Sequence, residues 1–382
     1  MAATRKLLFI LILVVYLEHN AIGKTKIDFV NSFMDQTGHH GHQVQDGTGN
    51  EHLLVGEPAV YLDATIGADT DIFASALVDL WTSASESAFD TNTGASGRGL
   101  SRRREPGTMT GIQNRIGFDF GVAQKIGSWK LTPRIGFSTE FDYHSLNGGL
   151  RAEKNLLDNN LTLALGYQVF VDSTHPFDAT ASQFLNWKSK ITHSIDASVT
   201  QILTPSDLIS AGYSFTNQSG FLAGTQNTVD VSGTRINEVL PSNRRRNAAT
   251  FRYVHGWNNW LSTHLDYRFY FDNWGIMANT IEPSLYFAFH DDDGLVKVFY
   301  RFHTQTASKY YQDSFRTPKA FMTSDSDLAK FVANEGGVMA SYTWNFKDSI
   351  LKSVSLNGSG VYYRRSNDLT GLIMQLGIGG VF

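Results

Sequence analysis

The chain has no cysteine among its 382 residues, which excludes disulfide staples, thiolate metal sites and covalent attachment of a c-type haem. Charge is scarce as well, 18% of residues with a net of -4. Nucleic-acid binding needs a concentrated basic surface, and the two "RRR" runs are only short local clusters. Helical periodicity is missing beyond the first residues, and so are long apolar runs. The one that exists, Leu7 to Leu17, is 11 residues long, against the ~20 that a spanning helix needs. Arg5 and Lys6 precede it and "EHNAIGK" follows, with small residues at Ala21 and Gly23. This predicts a secretory signal peptide over 1–23 and an exported single domain over 24–382 without a transmembrane helix.

What the chain does have is alternation. "WLSTHLDYRFYFDNWG" sets Leu261, Thr263, Leu265, Tyr267, Phe269 and Phe271 on one side, with Ser262, His264, Asp266, Arg268, Tyr270 and Asp272 on the other. "LTLALGYQVFVD" and "VKVFYRFHTQ" repeat the pattern, and "WKLTPRIGFSTEFDYHS" puts Lys130, Arg134, Glu140, Asp142 and His144 on its polar side. A period of two is that of β-strands. Segments of this kind fall at 26–34, 56–66, 70–82, 112–124, 129–143, 148–156, 161–173, 185–203, 206–219, 245–257, 260–272, 276–290, 294–309, 336–347, 351–366 and 369–382. Short turns such as "GAD", "TPSD" and "HDDDG" alternate with connections that include the long ones 35–55, 84–111, 174–184, 220–244 and 310–335. An even strand number and this asymmetry predict an all-β fold, a closed antiparallel transmembrane β-barrel of about 16 strands, porin-like, with 14 as the runner-up.

A soluble β-sandwich or propeller also alternates apolar and polar positions. Its polar side would be a Lys/Glu-rich surface, whereas the polar sides here run Gly117, Asp119, Gly121 or Ser194, Asp196, Ser198. The last segment, "LTGLIMQLGIGGVF", keeps Leu372, Met374, Leu376, Ile378 and Phe382 on one face, which resembles the assembly signal of bacterial outer-membrane barrels. From about Arg244 to Trp344, "YRFYFDNWG" (267–275), "YRFHTQTASKYY" (300–311) and "SDSDLAKF" (324–331) resemble a family of bacterial outer-membrane proteins known as a domain of unknown function. That resemblance implies a Gram-negative outer-membrane barrel with links to redox or flavin-modified partners. It brings neither a substrate nor catalytic residues.

In such a barrel the apolar face meets lipid and the polar face lines a lumen. The candidate lumen and selectivity residues are Arg134, Glu140, Asp142, Arg252, His264, Asp266, Arg268, Glu282, Lys297 and Arg301. On consecutive strands, Arg252, Asp266, Glu282, Lys297 and Arg301 come within reach of opposite charges in suitable registers. No catalytic group stands out. His264 lies two residues from Ser262 and Asp266, but same-face neighbours on a strand are ~7 Å apart at ~3.3 Å per residue, too far for a hydrogen-bonded triad. "GHHGHQVQDGTGNEH" offers His39, His40 and His42, with His52, Asp46 and Glu51, as metal ligands; a Gly-rich loop gives them little support, so ordinary solvated loop is the stronger reading. "DDDG" lacks calcium-loop spacing and reads as a turn. "SDSDLAKF", within the 310–335 connection, is either exposed or docked inward against lumen arginines.

The expected place is the outer membrane of a Gram-negative bacterium. The expected partners are its lipid, periplasmic chaperones, the barrel-assembly machinery and small solutes, with neither nucleic acid nor cofactor. Two functions compete: a channel or transporter for small polar or charged solutes, and a barrel that scaffolds or sheathes a redox or secreted partner protein.

Overall fold

The computed structural model describes residues 22–38, 51–81, 113–181, 183–347 and 349–382. In chain order the strands are β1 (Ile22–Gly38), β2 (Glu51–Ile66), β3 (Thr70–Trp81), β4 (Gln113–Ile126), β5 (Trp129–Thr139), β6 (Tyr143–Leu156) and β7 (Leu161–Thr174). A small hairpin, β8 (Phe177–Asp178) and β9 (Gln183–Phe184), precedes β10 (Lys188–Thr204) and β11 (Asp207–Gly220). A second hairpin, β12 (Thr228–Val231) and β13 (Thr234–Asn237), precedes β14 (Asn243–Asn258), β15 (Leu261–Asp272), β16 (Met277–Phe289) and β17 (Gly294–Gln305). β18 (Phe331–Asn345), β19 (Ser353–Arg365) and β20 (Thr370–Val381) complete the chain.

Without the two hairpins, sixteen strands form one closed antiparallel barrel, and β20 closes it on β1 from Lys26 opposite Val381 to Thr37 opposite Thr370. Closure leaves no edge, so the backbone groups of the wall pair within the protein and the wall can sit in hydrocarbon. Strand count and most boundaries agree with the alternation. One hairpin differs. The expected 129–143 and 148–156 are instead β5 and β6, joined by a tight turn at 140–142 in which the Glu140 amide donates to the Tyr143 carbonyl at 2.7 Å. The polar alternation of "STEFDYHS" runs on through this turn, which conceals it. Past the turn the faces exchange: Tyr143 is fully buried, while His144 points outward against Trp187, ring centres 4.9 Å apart.

The outer face is apolar along the strands. Ile135, Leu146 and Leu376 are 60%, 60% and 68% exposed, an arrangement that water would penalise at roughly 25 cal/mol per Å² and that lipid does not. Trp129, Trp257, Trp260, Phe289 and Trp344 stand at strand ends beside the short turns, where the aromatic girdle of an outer-membrane barrel lies. Among the described residues no helix is long and apolar enough to cross a membrane; the crossing is made by strands.

The inner face combines charged side chains with very small neighbours, and packing explains why. Asp196 lies flat across Gly166, where an added Cβ would stand 2.4 Å from its carboxylate, and from there it reaches Arg151 at 2.9 Å. Phe299 lies across Gly337 in the same way, with 2.6 Å to the position of an added Cβ. Glycine beside a long lumen side chain lets that side chain follow the wall instead of filling the bore.

Candidate functional site

The charged lumen face of β14 to β18 is a ladder of paired charges. Arg252 pairs with Asp266 at 2.5 Å, and Asp266 stands opposite Glu282 in the β15–β16 register. Glu282 holds Lys297 at 3.0 Å and Arg301 at 2.6 Å, and Arg301 reaches on to Glu335 at 2.9 Å. Five residues singled out from sequence therefore meet in two neighbouring ion-paired groups, Arg252–Asp266 and Glu282–Lys297–Arg301, and Glu335 extends the second. His264 also faces inward, but it stacks on Tyr286 with ring centres 4.1 Å apart, in place of a triad with Ser262 and Asp266.

Arg134 and Arg268 behave differently. Both are exposed on the inner face, and among the described residues neither has a carboxylate within ion-pair distance. Arg268 contacts the ring of Tyr270, 5.9 Å from its centre.

Two expected lumen residues lie elsewhere. Glu140 and Asp142 belong to the β5–β6 turn, above the wall. Asp142 is fully buried and accepts a hydrogen bond from Thr225 Oγ1 at 3.0 Å, across 83 residues of sequence. Burial pushes its carboxyl up to about 7, against the smaller lowering effect of the hydrogen bonds from Thr225 and Gln226. The histidine cluster His39, His40 and His42 lies outside the described residues, as do the connection 82–112 and residues 1–21. His52, at the far end of that cluster, is on β2 and contacts Asp35 at 3.1 Å.

The three family-like motifs converge on one place, the mouth at the long-loop rim. In "YRFYFDNWG", Asp272 ends β15 and organises the next turn. Its Oδ1 accepts from the amides of Trp274 and Ile276, both at 3.0 Å. Its Oδ2 accepts from Arg244 Nη2 at 2.6 Å and from the Tyr270 hydroxyl at 2.9 Å. Gly275 completes the turn at φ +92, a region L side chains avoid. Trp274 is thereby turned inward under the Arg244 guanidinium, 4.4 Å from the ring centre, and packs with Ile276 and Leu328. Leu328 comes from "SDSDLAKF", where Asp325 caps a single 3-10 turn, Ser326–Leu328, by accepting from the Asp327 amide at 2.7 Å. "YRFHTQ" supplies Gln305, whose amide donates to the carbonyls of Asp327 and Ala329 at 2.9 and 2.7 Å. Asp327 then pairs with Arg365 on β19. The inward docking of this segment against a lumen arginine is therefore realised.

The other long connection interlocks with it. Val229 and Val231 of the β12–β13 hairpin pack on Phe315 and Met322 of the 306–330 connection, forming a small dry core. The β8–β9 connection joins as well, its Phe177 carbonyl accepting from Asn237 Nδ2 at 2.6 Å. The result is a roof across the mouth. Beneath it lies a cavity of about 640 Å³, bounded by Leu240 and Leu328 above and by Ser214, Thr216, Arg268 and Thr280 of the wall. Sequence reasoning missed Arg244, Asp272, Trp274, Asp327 and Arg365, the residues that hold the roof. The available signal was the clustering of the three motifs between 267 and 331, together with the alternation in "RRR", which sends Arg244 and Arg246 inward.

The chain belongs to the family described as "Protein of unknown function (DUF3570)". The model of that family matches residues 19–382, most of the chain, which bears out the resemblance to a family of unknown function. No curated protein matches the chain. Similar solved structures include a bacterial polysaccharide outer membrane secretin, 11% identical with 94% of this chain and 97% of that one covered at a TM-score of 0.48. Pseudomonas aeruginosa OpdK with vanillate is 8% identical, with coverages of 94% and 98% and a TM-score of 0.47. Acinetobacter baumannii OccAB1 is 10% identical, with 94% and 96% covered and a TM-score of 0.42. The reading of this family member as an outer-membrane-type barrel rests on its own closed ladder and apolar outer face.

Proposed function

We propose that this barrel is a channel for small polar or charged solutes across the outer membrane of a Gram-negative cell, exported by the leader 1–23. The observation that carries the reading is the roofed lumen cavity. It is polar, its volume of about 640 Å³ is ample for a small solute, and the chain's own loops narrow its entrance. Rings of fixed charge at such a constriction are how channels select. A sheath for a redox or secreted partner protein would call for a bore shaped to another chain, whereas this mouth is occupied by the chain's own connections.

The test is planar-bilayer recording of the refolded full chain. Discrete conductance steps with a defined reversal potential in a salt gradient are expected. A correctly inserted barrel that stays silent, while copurifying with one periplasmic or surface protein, would reverse the choice in favour of the sheath.

A further inference from the structure

Five basic side chains line the roofed cavity: Lys190, Arg244, Arg246, Arg268 and Arg365. Three of them are visibly committed, Lys190 to Asp172 at 3.4 Å, Arg244 to Asp272 at 2.6 Å, and Arg365 to Asp327. Arg268 is not: among the described residues no carboxylate lies within ion-pair distance of it. Its cross-strand neighbours are two neutral hydroxyl residues, Thr250 on β14 and Thr280 on β16. The Thr280 hydroxyl is fixed by a 2.8 Å hydrogen bond to His303 Nδ1. The acidic side chains that line the same cavity, Glu238, Asp325 and Asp327, belong to the roof connections rather than to the wall.

This placement has a chemical meaning. A guanidinium offers five N–H donors in a rigid fork that matches a carboxylate in a bidentate manner. Inside a narrow space its charge is screened much less than in bulk water. The alanines at 248 and 278, in register on either side of Tyr270, keep the wall next to it low. We infer that Arg268 is the carboxylate-binding group of a solute site in this cavity, and that the natural solute is a small organic acid. The inference deepens the channel reading and rests on it for the solute's route, but binding itself can be measured without conduction.

The experiment uses the full-length barrel with three probes: butyrate, its neutral isostere butyramide, and the cation butylammonium of similar chain length. Calorimetry on the detergent-solubilised barrel reads binding, and single-channel recording reads interruptions of current. Butyrate is expected to bind and to interrupt the current, and each of the other two to do so at least tenfold more weakly. Arg268→Gln is expected to lose butyrate binding at least tenfold, and Arg268→Lys to lose less. Both variants must show the wild-type shift in gel migration on boiling, so that loss of folding is not read as loss of the site. Lys154→Gln, on the outer face, should bind butyrate like the wild type. Equal binding of butyrate and butyramide, or full butyrate binding by Arg268→Gln, overturns the site even in a conducting barrel. Arg268-dependent butyrate binding in a barrel that never conducts keeps the site and removes the channel.

Discussion

Two walls of this barrel share an exterior and differ inside. On β14 to β18 the lumen face carries the Arg252–Asp266 and Glu282–Lys297–Arg301–Glu335 network. On β19 and β20 it carries Ser353, Ser355, Asn357 and Ser359 opposite Val381, Gly379, Gly377 and Gln375. Outside, both walls present the same apolar surface, Leu265, Tyr267 and Leu285 on one and Leu356, Leu372 and Leu376 on the other. Lipid dictates the outer face and leaves the inner one free, so what is specific to this protein must be sought in the inner asymmetry and in the roof, which Arg244 and Asp272 hold from the charged side and Arg365, at the rim end of β19, holds from the other.

The largest effect is expected where the charged wall meets the roof. The Asp272 side chain is fully buried and is shared by Arg244, Tyr270 and the turn that presents Trp274. Removing one partner of a buried ion pair costs about 3–5 kcal/mol, because the other charge is left stranded. Asp272→Ala should therefore lower the urea midpoint of unfolding and, with Trp274 and Leu328 released, raise single-channel conductance. Wild-type conductance in that variant would show that the roof is held from elsewhere.

Next come the two arginines that separate bracing from selectivity. Arg301 sits between Glu282 and Glu335, so Arg301→Ala should both destabilise the wall and shift the reversal potential toward cations. Arg268→Ala should give the cation shift with little loss of stability, since no carboxylate among the described residues depends on it. An attraction at 4 Å is worth about 4 kcal/mol at an effective dielectric near 20 but about 1 in bulk water, so the size of both shifts reports how narrow the lumen is. Unchanged selectivity in both would leave the whole ladder as bracing.

The barrel and its charge ladder were legible in the sequence because a period of two assigns every residue to a side, and because Arg252, Asp266, Glu282, Lys297 and Arg301 lie on consecutive strands. The roof was not legible. Asp327 to Arg365 spans 38 residues and Asp142 to Thr225 spans 83, and no periodicity encodes contacts between irregular connections. Glu140 and Asp142 were misplaced for a related reason, since alternation cannot tell a strand from a turn that happens to continue it.

Asp142 adds a dependence on pH. An exposed carboxyl titrates near 4, and this one titrates at about 7 when buried under Thr225. The docked state thus holds the proton more tightly than the released state. Docking is fully supported below about pH 4, weakens as the pH rises from there, and has lost this contribution above about 7. Hydrogen exchange in 221–242 should be faster at pH 8 than at pH 5 after correction for intrinsic rates, and Asp142→Asn should remove the difference. An identical dependence in Asp142→Asn would assign it to another group.

The smallest effect is expected on the quiet wall, and it tests the comparison itself. Asn357 is exposed to the lumen between Ser341 and Gly377 and is not among the residues lining the roofed cavity. A lysine there would be a hydrated point charge in the open bore, where salt screens it over about 10 Å at 0.1 M and about 3 Å at 1 M. Asn357→Lys should therefore move the reversal potential slightly toward anions in dilute salt and not at all in 1 M salt. The shift from Arg268→Ala, made inside the constriction, should persist at both. If Asn357→Lys matches it in size and survives high salt, selectivity belongs to the charge of the whole bore, and the difference between the two walls is one of architecture alone.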